Sequence, residues 1–125
     1  METEKIAMEK ATKNYGKNLA SAIKNNCKDQ KCPFHGSLRV RGKTIQGTVT
    51  KKFPKRVVIV FERIVYVRKY ERYKKTRIKI HARLPDCISN EINIGDTAIA
   101  KECRPLSKII HFVVVDKLNL GGVKK

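Results

Sequence analysis

Cys27, Cys32 and His35 stand together in the stretch CKDQKCPFHG. Two thiols and an imidazole at that spacing are one half of a zinc site. A structural site takes four ligands, and no second closely spaced cysteine pair lies nearby. Cys87 and Cys103 could complete one only through the fold. A buried thiol also serves as a small apolar side chain, and Cys103 sits in a stretch that predicts a core strand. The expectation from the sequence is therefore no metal and no cofactor, with Cys27, Cys32 and His35 as the candidates should one bind.

Catalytic constellations are missing from the rest of the sequence. There is no Gly-rich phosphate loop, no H-E-x-x-H and no G-x-S-x-G. The acids are scattered, and no pair suggests acid–base work or Mg²⁺ binding. His35, His81 and His111 have no carboxylate beside them in sequence. His81 continues the alternation of Arg77 and Lys79, which suits contact with a phosphate or base. His111 alternates with Ile110 and Phe112 and reads as a satisfied barrel histidine. The chain is not expected to be an enzyme.

A different chemistry is prominent in ECRPLSK, 102–108. Pro105 has a fixed φ and pushes Arg104 toward an extended conformation. Leu106 can anchor the turn in a core. Arg104, Ser107 and Lys108 would then be held outward as a guanidinium fork, a hydroxyl and an ammonium, a donor set for phosphate oxygens and ribose hydroxyls. Tyr66, Tyr70 and Tyr73, four and three apart, either pack on the domain or stack on unpaired bases.

Around these the cations crowd. Lys51, Lys52, Lys55 and Arg56 flank one turn. Arg68, Lys69, Arg72, Lys74, Lys75, Arg77 and Lys79 run through a second segment, and Arg39, Arg41 and Lys43 precede both. Over 37–83 there are sixteen Lys and Arg against Glu62 and Glu71, so +14 of the chain's +18 falls there. Such a surface repels itself until a polyanion approaches, and nucleic acid releases counterions as it binds. Anionic membranes and sulfated polysaccharides have the same sign of charge. The polysaccharide reading requires secretion, and METEKIAMEKATKNYGK has no apolar run of a signal peptide. The longest apolar run, VVIVF at 57–61, is far short of the about 20 residues a membrane helix needs. Four cysteines without a signal point to a reducing compartment, so the expected location is the cytosol.

The elements that must position these residues are β-strands. In 44–50, Ile45, Gly47 and Val49 share one face, and Thr44, Gln46, Thr48 and Thr50 the other, which is a half-buried strand with a coiled or bulged point at the glycine. A turn at 51–56 follows. Residues 57–67 form a second strand, 76–82 a third, 97–103 a fourth and 109–118 a fifth. Basic residues 68–75 read as a long loop and 84–96 as a loop closed by a Gly-Asp turn. Five short strands and little helix predict an all-β fold, a five-stranded OB-type Greek-key barrel with long basic loops. With no Trp and 6% aromatics, its core should be aliphatic. The organisation is an N-terminal extension over 1–30, weakly structured or with one short helix, the barrel domain over 31–118, and a basic, mobile C-terminal tail over 119–125.

IGDTAIAKECRPLSKIIHFVVVDKL, CPFHGSLRVRGKTIQGTV, YVRKYERYKKTRIKIHA and LPDC together resemble the archaeal and eukaryotic branch of the universal small-subunit ribosomal protein seventeen family. The resemblance runs from about Cys27 to Leu118. It implies an OB barrel bound to small-subunit ribosomal RNA early in assembly, without catalysis, beside neighbouring ribosomal proteins. The family's RNA-contacting turn falls on Arg104, Pro105, Leu106, Ser107 and Lys108, its basic hairpin on 51–56 and its long basic loop on 68–79, including Tyr70 and Tyr73. Two places depart from the pattern. Ile109 and Ile110 stand where the family often has polar residues, and the first 17 residues match none of its motifs. The function expected is a structural constituent of the small ribosomal subunit that binds and helps fold its RNA. The alternative is a free OB protein coating single-stranded RNA, of cold-shock or translation-factor type. A rival from another class is a metal-dependent RNA-processing enzyme using Cys27, Cys32 and His35. No membrane or small-molecule partner is expected.

Overall fold

The computed structural model describes residues 27–118. The helix expected within 1–26 and the tail 119–125 lie outside the described residues. Five strands form: β1 (Val40–Phe53), β2 (Arg56–Val67), β3 (Arg72–Arg83), β4 (Thr97–Cys103) and β5 (Ile110–Leu118). They neighbour one another in the order β1-β2-β3-β5-β4, and β4 returns to β1 to close the barrel. The β3–β5 pair is parallel and the others are antiparallel, the OB-type Greek key the sequence predicts.

Alternation explains the strands locally. In β1, Ile45 and Gly47 are half-buried and Val49 is buried, while Thr44, Gln46, Thr48 and Thr50 are exposed. The core is aliphatic: Val49, Val57, Ile59, Ala82, Leu84 and Val113 are among its buried members. Gly47 permits a close approach. A Cβ there would lie 2.7 Å from Ile59 Cγ2 and 2.7 Å from the Val60 carbonyl oxygen. The β1–β2 ladder shifts register between Val49 and Lys51. Glycine and bulge together turn β1 sharply enough to pair with β2 and β4 at once.

Three segments differ from expectation. The first strand begins at Val40 and ends at Phe53, and Lys51, Lys52 and Phe53 pair with Val58, Val57 and Arg56. The 51–56 turn thus shrinks to Pro54 and Lys55, because exposed lysines can join a ladder as readily as other side chains. At the other end of β1, Gly42 takes φ 111°, and the Lys43 amide donates to Glu102 Oε2 at 3.1 Å.

The long basic loop is instead a ribbon. β2 and β3 stay paired without a slip from Arg56↔Arg83 to Val67↔Arg72. A 3-10 turn at Arg68–Tyr70 closes the ribbon, and Glu71 in the left-handed region (φ 49°) donates its amide to the Arg68 carbonyl. Ile64, Val65, Tyr66, Val67, Tyr73 and Thr76 all favour extended backbone, and that preference decides the pairing over the density of lysines.

The 84–96 connection contributes to the core. Leu84, Pro85, Cys87, Ile88 and Ile92 are buried. Tight turns order it, with the Ile88 amide on the Pro85 carbonyl and the Glu91 amide on that of Ile88. Gly95, at φ 96°, donates to the Val49 carbonyl at 2.8 Å. Cys27 and Phe34 pack against the same core, in which Cys32 is wholly buried.

Candidate nucleic-acid interface

The strand registers decide which basic groups meet. Val40 pairs with Cys103, and Ile110 with His81, so the start of β1, the 104–109 turn and the base of the β2–β3 ribbon occupy one end of the barrel. The β1–β2 turn and the 84–96 connection occupy the other, where Leu84 donates its amide to the Lys55 carbonyl. Arg39, Arg41, Lys43, Arg104, Lys108 and the ribbon cations therefore converge. Lys51, Lys52, Lys55 and Arg56 do not join them.

On the ribbon, both faces are exposed. Residues opposite one another share a face, so Tyr66, Tyr73 and Lys75 lie on one side with Ile64, and Val65, Arg72 and Lys74 on the other with Arg63. Tyr66 and Tyr73 contact each other, with ring centroids 5.2 Å apart and planes at 55°. Tyr70 stands at the tip with the Lys69 ammonium 5.4 Å from its ring centre. All three tyrosines are exposed, Tyr73 at 75%, so they do not pack on the barrel. Arg77 is paired with Glu62 at 3.2 Å, but both side chains stay more than half exposed. Such a pair is worth little in water and leaves the guanidinium accessible.

The 104–108 turn has the arrangement its sequence suggests. Leu106 packs against the core, while Arg104, Pro105, Ser107 and Lys108 are exposed. The Leu106 and Ser107 amides both point at the Ile110 carbonyl, at 3.0 and 3.4 Å, which fixes the backbone. His111 is exposed, with Nε2 3.3 Å from the Lys108 carbonyl.

Other candidates sit differently. Lys52 donates its ammonium to the Ser89 carbonyl and so braces the 84–96 connection. Arg56 lies over the Phe53 ring at 4.6 Å. His81 is half-buried with Nδ1 enclosed and without a hydrogen-bond partner, while Lys79 beside it is exposed.

A second cluster lies beyond the ends of the strands. Cys27 Sγ is 3.2 Å from His35 Nδ1, Cys32 Sγ is 3.6 Å from the same nitrogen, and Cys32 and Cys87 have sulfurs 3.6 Å apart. The hydrogen bond from Cys87 is the largest influence on Cys32. Burial opposes it, the amides of His35 and Phe34 and the His35 ring support it, and the Cys32 thiol is held down to about 5. That same bond, with burial, pushes Cys87 up. Asp29 anchors this segment to β3 through Arg83 at 2.9 Å, with the two side chains only 8% and 15% exposed.

Of Cys87 and Cys103, both left by the sequence as ligands only the fold could supply, the structure brings in Cys87 and leaves Cys103 out. Nothing local in the sequence separates Cys87 from Cys103, since the choice depends on how the 84–96 connection folds back. Sequence reasoning missed Arg63 as a ribbon cation. Arg63 was legible as a basic residue inside the strand expected over 57–67.

A closed five-stranded OB barrel with cations massed at one end defines a class: small, strongly basic OB-type β-barrel proteins. The sequence profile of the family described as Ribosomal protein S17 matches residues 47–116, and the chain belongs to that family. It is 48% identical over 94 residues to small ribosomal subunit protein uS17 of Saccharolobus solfataricus, spanning 74% of this chain and 81% of that one. It is 46% identical over 98 residues to the uS17 of Archaeoglobus fulgidus, spanning 78% and 86%. With the uS17 of Nanoarchaeum equitans it shares 46% identity over 104 residues, 82% and 91% of the two chains. The family is structural, not enzymatic.

Proposed function

We propose that this chain is a structural constituent of the cytoplasmic small ribosomal subunit, binds its ribosomal RNA directly, and helps that RNA fold and assemble. One observation supports this above the rest. The 104–108 turn, the start of β1 and the β2–β3 ribbon lie at one end of the barrel, and their cations face solvent. Among the described residues, Glu62 with Arg77 is the ion pair found on the ribbon. Phosphates supply the missing anions, and released counterions drive the association.

The barrel works as a mount. The rigid turn presents Arg104, Ser107 and Lys108 to backbone oxygens and 2′-hydroxyls, which fix orientation. The ribbon extends further out with cations on both faces, so it can lie between two RNA segments that would otherwise repel. Tyr66, Tyr70 and Tyr73 offer stacking surfaces. Base-edge readout is minor beside these backbone contacts. Neighbouring ribosomal proteins adjoin the exposed remainder.

A single-strand-coating role would use an aromatic platform on the barrel strands. The exposed tyrosines are instead at the ribbon's outer end. Filter binding to folded small-subunit RNA, with an unstructured homopolymer of equal length as competitor, tests the difference. Preference for the folded RNA, together with co-sedimentation with small subunits through high salt, is expected. Equal affinity for both polymers overturns the proposal.

A further inference from the structure

The structure assigns a tetrahedral metal site, best suited to zinc, to Cys27, Cys32, His35 and Cys87. One ligand atom from each of these side chains lies within 4.8 Å of the others. Tetrahedral zinc with bonds of about 2.3 Å to sulfur and about 2.0–2.1 Å to nitrogen places sulfurs roughly 3.8 Å apart and sulfur and nitrogen roughly 3.6 Å apart. The Cys32–Cys87 separation of 3.6 Å and the sulfur–nitrogen separations of 3.2 and 3.6 Å need only small adjustments to meet that geometry.

Simple core packing accounts for the cluster less well. Cys103 shows what a packing thiol looks like here: it is buried in β4 and stands outside the cluster. At the cluster, three sulfurs and an imidazole nitrogen converge, and an apolar core has no use for that nitrogen. Soft thiolates with one imidazole are a zinc donor set, whereas calcium and magnesium require oxygen ligands. A disulfide is also a poor description, since 3.6 Å is far beyond a bonded pair.

The role is structural. Four protein ligands leave no open position for a catalytic water. Three ligands come from the short segment before β1, and the fourth from the connection between β3 and β4, 55 positions after Cys32. The ion would staple that segment across the barrel. The Asp29–Arg83 pair already ties the same segment to the end of β3, where that connection begins. Three thiolates and a dication sum to one negative charge, which a chain of net charge +18 accommodates readily.

The test uses the full chain, reduced and purified without added metal, for elemental analysis, and then stripped with chelator and titrated with Co²⁺. One zinc per chain is expected. Cobalt should give the intense visible bands of a tetrahedral site and a thiolate charge-transfer band, displaced by one equivalent of zinc. Cys87→Ser and His35→Ala should lose or shift these bands, while Cys103→Ser keeps them. Far-UV circular dichroism shows whether each variant is folded. A folded, reduced wild-type chain that holds no stoichiometric zinc and develops no such bands overturns the proposal. So does a native Cys32–Cys87 disulfide, or bands lost equally in Cys103→Ser.

Discussion

Tyr66 and Tyr73 face each other across the β2–β3 ribbon, directly paired in register, with their rings 5.2 Å apart and clear of the barrel. A tilted aromatic pair contributes about 0.5–1.5 kcal/mol beyond area burial. This one braces a ribbon, not the core. Replacing both by Ala should leave the main melting transition nearly unchanged. Affinity for folded ribosomal RNA should fall by about 1–3 kcal/mol for each stack lost. Calorimetry and filter binding on the same preparation check both halves, and Phe at both positions should restore binding.

Lys74 and Lys75 are adjacent and project to opposite faces of the ribbon. If RNA contacts both faces, each single Ala variant should flatten the log–log salt dependence by about one unit per lost phosphate contact. Binding isotherms at four or more salt concentrations measure this. An effect from one variant alone would place the RNA on that side only.

Within the 104–108 turn, anchoring and contact are separate jobs. Arg104→Ala with Lys108→Ala should weaken RNA binding while leaving the melting temperature close to wild type, since both side chains are exposed. Leu106→Ala should do the reverse first. Its partly buried side chain packs on the core, and truncation should lower stability by roughly 1–2 kcal/mol, less than a fully buried leucine would cost. Urea denaturation of the three variants separates the two effects.

The Arg83–Asp29 pair should be costly to break. Arg83→Ala leaves a carboxylate only 8% exposed without its cation, a change expected to cost about 3–5 kcal/mol. Burial works to raise the Asp29 value. The Arg83 bond, the Lys31 amide and the charges of Arg83 and Lys55 outweigh it, so the carboxyl is held below its ordinary value. Its contribution to stability is therefore present above the ordinary carboxylate range and lost as pH falls through the lowered value. Comparing urea midpoints against pH for wild type and Asp29→Asn should show that dependence disappear.

Asp116 has the opposite sign. Burial pushes its value up, the Lys117 amide at 2.7 Å offsets this in part, and Glu91 adds to the rise. The charged form is thus less stable in the fold than in the open chain. Asp116→Asn, which can still accept the Lys117 amide, should raise stability at neutral pH. The gain should shrink as pH drops below the ordinary carboxylate range, where both forms are neutral. Thermal melts at pH 7 and pH 3 check it.

Alternation and β-branching are local properties, so the barrel's strands could be read from the chain. Thr44 to Thr50 show in sequence the faces they have in the structure. Leu106 beside Pro105 gave away the anchored turn for the same reason. Residues 68–75 were harder, because lysine density resembles a solvated loop and only pairing with 62–67 reveals a strand. The ribbon's length was thus decided by a partner strand rather than by its own composition. The sequence alone determined the sign of the surface, the aliphatic core and the five-stranded class. The barrel's closure decided which cations share an end, and brought Cys87 to Cys32 and His35. Strand register and barrel closure act between distant residues, and no local pattern carries that information.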